Sequence, residues 1–252
     1  MRIFILGIVH FHFSDIETSF STPVAPLPLS EKERALIAVN WQRVNAEGNF
    51  FNGPVLAATA IDVNGAPGVS VSTTDYAHYL YANAHPTATP CRIVYCAAAI
   101  VTSDNHVLFG EMNSSTSSPG QLQFVGGNVE IAPDGSISGK HCCEREVIEE
   151  IGSAFLEMAG DFRPLCIKTG GKADHVGIYY VLHVNATKVE AQAAFDAHLA
   201  QLRLAGEKPE LVKVHLVELT RSAITQFFHQ NSERCVDYLA PLLIDHGQVL
   251  RR

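Results

Sequence analysis

Charge and long apolar runs are both scarce in this chain of 252 residues. Only 17% of the residues are charged and 47% are hydrophobic, a composition too apolar for a disordered protein. No apolar run approaches the roughly 18–20 residues that a helix needs to cross a bilayer, and no run is rich in lysine or arginine. With 26 acidic and 18 basic residues the formal net charge is −8, which argues against a nucleic-acid-binding surface. We therefore expect a soluble cytoplasmic protein that binds neither membranes nor nucleic acids.

Cysteine-based metal and disulfide patterns are missing as well. None of the six cysteines forms a CxxC pair, and the 12 histidines are scattered without metal-ligand spacing. A chain of this length can bury a core without a disulfide scaffold, so reduced thiols are expected. The sequence thus argues against both a zinc centre and a disulfide-stabilised secreted domain.

Residues 1–90 are predicted to form a small α+β unit. The predicted elements are an opening strand at 1–9, a helix at 31–44, a hairpin of strands at 55–63 and 69–72, and a short helix at 76–83. Ser30 and Asp75 are the expected N-caps of the two helices, because their side chains can accept hydrogen bonds from free N–H groups. The proline-containing segment at 85–90 then marks the boundary of the unit.

Residues 91–252 are predicted to form a larger domain, so the whole chain is assigned to the α+β class. Residues 93–101 are continuously apolar, as expected of a strand that is covered on both faces. Further strands are predicted at 107–111, 176–184 and 211–219, and helices at 138–151, 190–204 and, with an interruption, 220–244. Gly152 follows the first of these helices in the position that commonly ends a helix.

Three carboxylates cluster on the predicted helix at 138–151. Glu146, Glu149 and Glu150 stand at i, i+3 and i+4, so they share one helix face, and no lysine follows them at i+4. Gly126 and Gly127 precede the helix, where a backbone carbonyl could turn toward the same ion. Clustered hard oxygen ligands suit Mg²⁺ or Mn²⁺. The alternative interpretation is an acidic helix face that is simply solvated.

The same residues resemble a known family signature. Gly126-Gly127, followed by Arg145-Glu146-x-x-Glu149-Glu150-x-Gly152, is similar to the Nudix box, the metal-binding loop and helix of Nudix hydrolases. The resemblance implies an α/β/α sandwich with a mixed sheet over residues 92–219, preceded here by the small N-terminal unit. It also implies hydrolysis of the pyrophosphate bond in a nucleoside diphosphate that is linked to another moiety.

The resemblance also assigns roles to individual residues. It implies that Glu146, Glu149 and Glu150 bind Mg²⁺ or Mn²⁺ and that the carbonyl of Gly127 is a further ligand. Arg145 would orient Glu146 through a charge-assisted hydrogen bond. One of the helix glutamates would deprotonate the attacking water, so Glu146, Glu149 and Arg145 are the expected catalytic group.

The box is only partly matched. Ile137 stands where the family has a supporting glutamate, and the loop before the helix is four residues longer than expected. Glu130 and Asp134 lie in that loop, but the sequence does not assign the missing role to either. These departures motivate an alternative function, a nucleotide-binding or regulatory module that kept the fold and lost turnover. A third interpretation is a structural protein whose acidic helix binds nothing.

Residues outside the box supply weaker candidates. Glu207 and Glu210, just before the strand predicted at 211–219, are candidates for a further acid, although each could equally be a solvated loop residue. Lys172, in the sequence Lys-Thr-Gly-Gly-Lys at 168–172, could meet a phosphate, yet the glycine pair also fits a plain turn.

The N-terminal unit carries a second resemblance. The segments at 51–54 and 74–79, with Asn83, are similar to the region before the box in Nudix enzymes that cleave UDP-sugars. By that resemblance Tyr76, Tyr79 and Asn83 would contact a nucleotide sugar; the alternative is a half-buried aromatic stripe. The expected partner is therefore a small nucleotide, and a homodimer is the default expectation for assembly.

Overall fold

The computed structural model of the chain describes residues 8–48, 50–116 and 118–251. The strands are β1 (Val9–Phe13), β2 (Ser19–Phe20), β3 (Ala25–Pro26), β4 (Pro54–Asp62), β5 (Gly68–Asp75), β6 (Val94–Val101), β7 (His106–Met112), β8 (Leu122–Gln123), β9 (Val125–Asn128), β10 (Ala159–Gly170), β11 (Val176–Val184) and β12 (Leu211–Glu218). The helices are α1 (Glu31–Val44), α2 (Tyr76–Ala84), α3 (Gly139–Ile151), α4 (Ala154–Glu157), α5 (Lys188–Ala205), α6 (Arg221–Asn231) and α7 (Leu239–His246), and a 3₁₀ helix (Gly247–Leu250) follows.

The larger sheet is mixed. Its strand order is β1-β10-β11-β6-β7-β12, in which β11 and β6 run parallel and the other neighbours run antiparallel. The apolar strand predicted at 93–101 is β6, and it is buried along almost its whole length in the centre of the sheet. The prediction of an α+β fold with a mixed sheet is confirmed.

Helices cover both faces of this sheet. On one face α3 and α5 contribute Val147 and Phe195 to a core that includes Ile100 of β6. On the other face α6 and α7 pack on β7, where the Phe109 ring lies 4.9 Å from the Phe227 ring. This layering is the α/β/α sandwich that the sequence predicts. In the part of the chain that the structure describes, no helix combines the length and the hydrophobicity needed to cross a bilayer.

The larger sheet divides in two beside α3. Strands β6 and β7 pair only through Ile100 with Leu108 and through Val101 with Val107. Beyond these pairs β6 takes β9 as its partner, while β7 takes β8. Because each strand continues with a different neighbour, the two branches separate, and β9 carries Gly126 and Gly127 along one of them.

The N-terminal residues build a second sheet but also contribute to the first. In the small sheet β5 is central and pairs with β2, β3 and β4, and α1 packs against α2 beside it. Strand β1, in contrast, pairs with β10 at the edge of the larger sheet. The Ala58 N–H donates to the Arg92 carbonyl at 2.8 Å, which joins the two sheets. A domain boundary at residue 90 stays a prediction.

The elements with strong local signals lie where the sequence places them. Ser30, Asp75 and Ser138 each accept a backbone N–H at the start of α1, α2 and α3. Gly152 ends α3 with a φ of +102°, a conformation that favours glycine. Of the opening strand predicted at 1–9, residues 1–7 lie outside the described residues, and β1 begins at Val9.

Strand β10 is the one long element without a sequence prediction. Charged residues at 161 and 163 interrupt its apolar pattern, and Pro164 cannot donate a ladder hydrogen bond. The register to β11 shifts between Pro164 and Cys166, which accommodates the proline. Pairing with β1 and β11 on its two sides therefore stabilises a strand that its own sequence does not predict.

The aromatic cluster under α6 gives a test of the core. The Phe109 side chain is fully buried and contacts the rings of Phe124, Phe227 and Phe228. Phe109→Ala should lower the free energy of unfolding by about 3–5 kcal/mol, because it leaves a cavity that these rings cannot fill. Val189→Ala, at a side chain that is 72% exposed, should change it by less than about 0.5 kcal/mol. Urea denaturation of both variants measures the effects, and equal losses would contradict this packing.

Candidate functional site

The two glycines of β9 allow α3 to approach the sheet at contact distance. The Gly126 N–H donates to Oε2 of Glu150 at 2.9 Å. A Cβ on Gly127 would lie 2.5 Å from Cδ of Glu146, and a Cβ on Gly126 would overlap the Cys96 carbonyl. A side chain at Gly127 would therefore displace the Glu146 carboxylate, and one at Gly126 would collide with β6.

Arg145 forms ion pairs with three carboxylates beside β9. Its Nη2 lies 2.7 Å from Oε1 of Glu146, and its Nη1 lies 3.1 Å from Oε2 of Glu149. Arg145 also lies 3.5 Å from Glu130 of the long loop before α3. The predicted pairing of Arg145 with Glu146 is present, and two further acids share the same guanidinium.

The long loop gives Glu130 and Asp134 different environments. The Asp134 carboxylate accepts hydrogen bonds from the Ser136 N–H and hydroxyl, so it stabilises a local turn. Glu130 instead reaches Arg145, and Ile137 packs partly buried on the core. Glu130 thus shares Arg145 with the helix carboxylates, although it does not stand at the position that the family spacing indicates.

Glu150 is the most deeply buried of the three helix acids. Its side chain is 2% exposed, and its Oε1 has no hydrogen-bond partner among the described residues. Burial raises the pKa of Glu150 well above its usual value, and the charges of Glu210 and Glu146 raise it further, while the Gly126 N–H acts in the opposite direction. A carboxylate in this position is stabilised in its ionised form only if a cation comes close.

The pKa values of Glu146 and Glu210 are raised as well. Burial raises the pKa of Glu146 to about 7; Arg145 opposes this, and Glu149, Glu210 and Glu130 add to it. The pKa of Glu210 is raised by desolvation and then by the charge of Glu149. Of the two acids suggested before β12, Glu210 therefore faces the helix carboxylates, whereas Glu207 donates its backbone N–H to Leu202 at the end of α5.

The donor set fits a hard divalent cation, although it is not arranged as a closed metal site. Across residues 8–48, 50–116 and 118–251, no three His, Cys, Asp or Glu side chains stand in a metal-holding arrangement. Glu146 and Glu149 instead form ion pairs with Arg145. The unpartnered oxygen of Glu150 and the raised pKa values of the neighbouring acids are both relieved by positive charge, and carboxylates suit Mg²⁺ or Mn²⁺.

The remaining predicted site residues lie elsewhere or stay predictions. The Gly127 carbonyl oxygen lies 3.6 Å from Sγ of Cys96, and its role as a metal ligand stays a prediction. Lys172 is exposed at a turn in which its own N–H donates to Asp237 at 2.8 Å and Gly170 and Gly171 have positive φ. The two glycines fit a turn between β10 and β11, which Asp237 braces from outside the turn, and a contact of Lys172 with phosphate stays a prediction.

The aromatic residues of α2 form a row that reaches the residue just before β11. The Tyr76 and Tyr79 rings lie 5.4 Å apart, and Tyr79 lies 5.4 Å from the ring of His175, just before β11. Burial raises the pKa of Tyr79, and Asn83 acts in the opposite direction. Among the described residues no hydrogen bond or ring contact joins this row to the α3 carboxylates. A role of Tyr76, Tyr79 and Asn83 in substrate binding stays a prediction.

Comparison with known proteins finds similarity at the level of solved structures. No protein-family model and no curated protein sequence matches the chain. The protein DR0079 of Deinococcus radiodurans is 16% identical, with a TM-score of 0.48 over 79% of this chain and 100% of that one. The MutT protein of Methanosarcina mazei Go1 is 16% identical, with a TM-score of 0.40 over 63% of this chain and 95% of that one.

A third solved structure is the Nudix domain of Shewanella oneidensis NrtR, determined in complex with ADP ribose. It is 15% identical, with a TM-score of 0.39 over 69% of this chain and 97% of that one. Because the overlap is partial and the identity low, the functional assignment depends on the geometry of the site itself.

The raised pKa of Glu146 predicts a pH dependence of stability in the metal-free protein. The folded protein holds this proton up to about pH 7, whereas the unfolded chain releases it near pH 4.5. The folded state therefore binds more protons across this window, and stability falls as the pH rises, by up to about 3 kcal/mol. In EDTA, the free energy of unfolding of wild type should therefore fall relative to that of Glu146→Gln as the pH rises.

Unfolding free energies at pH 4, 5, 6 and 7 test this expectation. Glu144→Gln is the matched control, because Glu144 lies on the same helix in an exposed pair with Lys140. Its pH profile should run parallel to that of wild type. Parallel profiles for wild type and Glu146→Gln would contradict the burial of an ionisable carboxyl at this position.

Proposed function

We propose that this protein is a Nudix-type pyrophosphohydrolase that depends on a divalent metal ion. The observation that carries the proposal is the buried carboxylate of Glu150, held by the Gly126 N–H on one oxygen and without a partner on the other. Structural ion-pair networks satisfy their buried oxygens, whereas groups with strongly perturbed pKa values cluster at functional sites. The Arg145–Glu146 pair at the spacing of the Nudix box supports the same function.

Each residue of the site has a proposed role in this reaction. Glu146, Glu149 and Glu150, with the Gly127 carbonyl, would hold Mg²⁺ or Mn²⁺. When bound, these ions neutralise the diphosphate and acidify a coordinated water. Arg145 fixes the Glu146 carboxylate through the 2.7 Å ion pair. Glu149, whose side chain is 54% exposed, is the most accessible of the three helix acids, and we assign it the role of base.

The substrate is proposed to be a nucleoside diphosphate linked to a second group. Water would attack one phosphorus, the bridging P–O bond would break, and two phosphate products would leave. A UDP-sugar is the first candidate, because the segments of the N-terminal unit that resemble UDP-sugar-cleaving enzymes place Tyr76 and Tyr79 in an aromatic row beside the larger domain. Glu210, whose pKa responds to the charge of Glu149, is the proposed additional acid.

Phosphate release from a substrate panel tests the activity. UDP-glucose, ADP-ribose and dinucleoside polyphosphates would be supplied with Mg²⁺ or Mn²⁺, and turnover should disappear in EDTA. Glu149→Gln and Glu150→Gln should each lower kcat/KM by about 100-fold or more, because each removes a metal ligand. Glu144→Gln, on the exposed side of α3, should retain wild-type activity. Equal activity of all three variants would contradict the assignment.

The departures from the box favour a second candidate, a nucleotide-binding or regulatory module. Ile137 cannot replace a carboxylate, and it packs partly buried against the core. Tight nucleotide binding without turnover on the whole panel would support this module and overturn the enzyme. If neither Mg²⁺ nor nucleotides raised the melting temperature, both functions would fail, since a ligand selective for the native state must stabilise it.

A further inference from the structure

A cavity lies within the N-terminal unit, away from the α3 carboxylates. Its volume is about 470 Å³, and every residue that lines it lies between positions 26 and 78. This volume is within the range of about 300–1,000 Å³ that holds small-molecule ligands. The cavity opens between α1 and the junction of β5 with α2. None of the residues that line it has a role in the proposed hydrolysis.

One wall of the cavity is a face of α1. Arg34, Ile37 and Trp41 stand at i, i+3 and i+7, so all three side chains point the same way. The Nε of Arg34 donates to the Leu29 carbonyl at 3.2 Å, which fixes the stem of the side chain. In the described part of the chain no carboxylate lies within ion-pair distance of Arg34. This wall thus offers a positive charge beside an apolar and aromatic surface.

The lining of the cavity also carries a negative charge, at Asp75. Asp75 accepts the His78 N–H at 2.8 Å through Oδ1, and among the described residues no cation lies within ion-pair distance of its carboxylate. Asn52 accepts the Ala77 N–H at 2.7 Å, so its amide N–H groups are not used in that bond. These residues belong to the segments at 51–54 and 74–79. Their hydrogen bonds fix the start of α2 and the shape of the cavity together.

We propose that this cavity binds a small zwitterion with an apolar side chain, which is the chemistry of an apolar α-amino acid. The ligand carboxylate would pair with Arg34 and the ligand ammonium with Asp75, while the side chain would pack on Ile37 and Trp41. A simple anion or a simple cation would satisfy one charged wall and leave the other unpaired. A ligand with both charges satisfies the two walls at once.

Trp41 gives a direct readout of this site, because it is the single tryptophan of the chain and it lines the cavity. L-leucine, L-valine and L-methionine, added in turn at up to millimolar concentrations, should change the tryptophan fluorescence with saturation. Two analogues of leucine test the charges separately. 3-Methylbutylamine lacks the carboxylate and 4-methylpentanoate lacks the ammonium, and each should bind about tenfold more weakly or worse.

Two variants connect the binding to the proposed walls. Arg34→Gln and Asp75→Asn should each weaken leucine binding about tenfold or more. Asparagine is also a good N-cap, so Asp75→Asn keeps α2 intact, and circular dichroism checks this. Arg43→Gln is the matched control, because Arg43 lies on the same helix and bonds to Asn40 outside the cavity. Its leucine binding should equal that of wild type.

Several results would overturn the proposal. One is the absence of a saturable signal with all three amino acids, by fluorescence and by calorimetry. Others are equal binding of leucine and both analogues, and binding that neither variant weakens. Saturable binding of uridine, lost in Arg34→Gln while leucine gives none, would assign the cavity to a nucleoside instead. Phosphate release from the substrate panel is measured separately, so failure here is distinct from failure of the proposed hydrolase.

Discussion

The hydrogen bond from the Gly126 N–H to Glu150 is the contact on which the candidate site depends. Both glycines are needed in β9, because a methyl group at Gly127 would collide with the Glu146 carboxylate and one at Gly126 would collide with Cys96 and Ala97 of β6. Val147 and Ile151, fully buried on the inner face of the same helix, hold α3 against the sheet. Apolar packing thus stabilises the helix in a position that its acidic residues alone would resist.

The resulting acidic cluster is costly in the absence of a cation. Removing carboxylates from water without full pairing raises their pKa values, as it does for Glu146 and Glu150. A single guanidinium, that of Arg145, serves three acids, and it does not reach the unpartnered oxygen of Glu150. Such local conflict is expected where a site is built for a ligand rather than for stability.

Local signals in the sequence predicted most of the secondary structure correctly. The predicted N-caps Ser30 and Asp75 act through hydrogen bonds to residues three positions away, so their effect can be identified without a fold. Strand β10 was not predicted, because Pro164 and the charged residues at 161 and 163 interrupt its apolar pattern. Its stability comes from pairing with strands that are distant in sequence. The same distance explains why β1 could not be assigned to the larger sheet in advance.

The sequence by itself determined which acids share a face of α3, because a helix fixes the relative positions of residues three and four apart. It also identified the glycine pair as the loop that accompanies them. Only the tertiary structure decided that Glu130 and Glu210, rather than Asp134 and Glu207, face this cluster. The reason is physical: these acids lie in loops, whose course is set by the elements they connect and not by their own residue pattern.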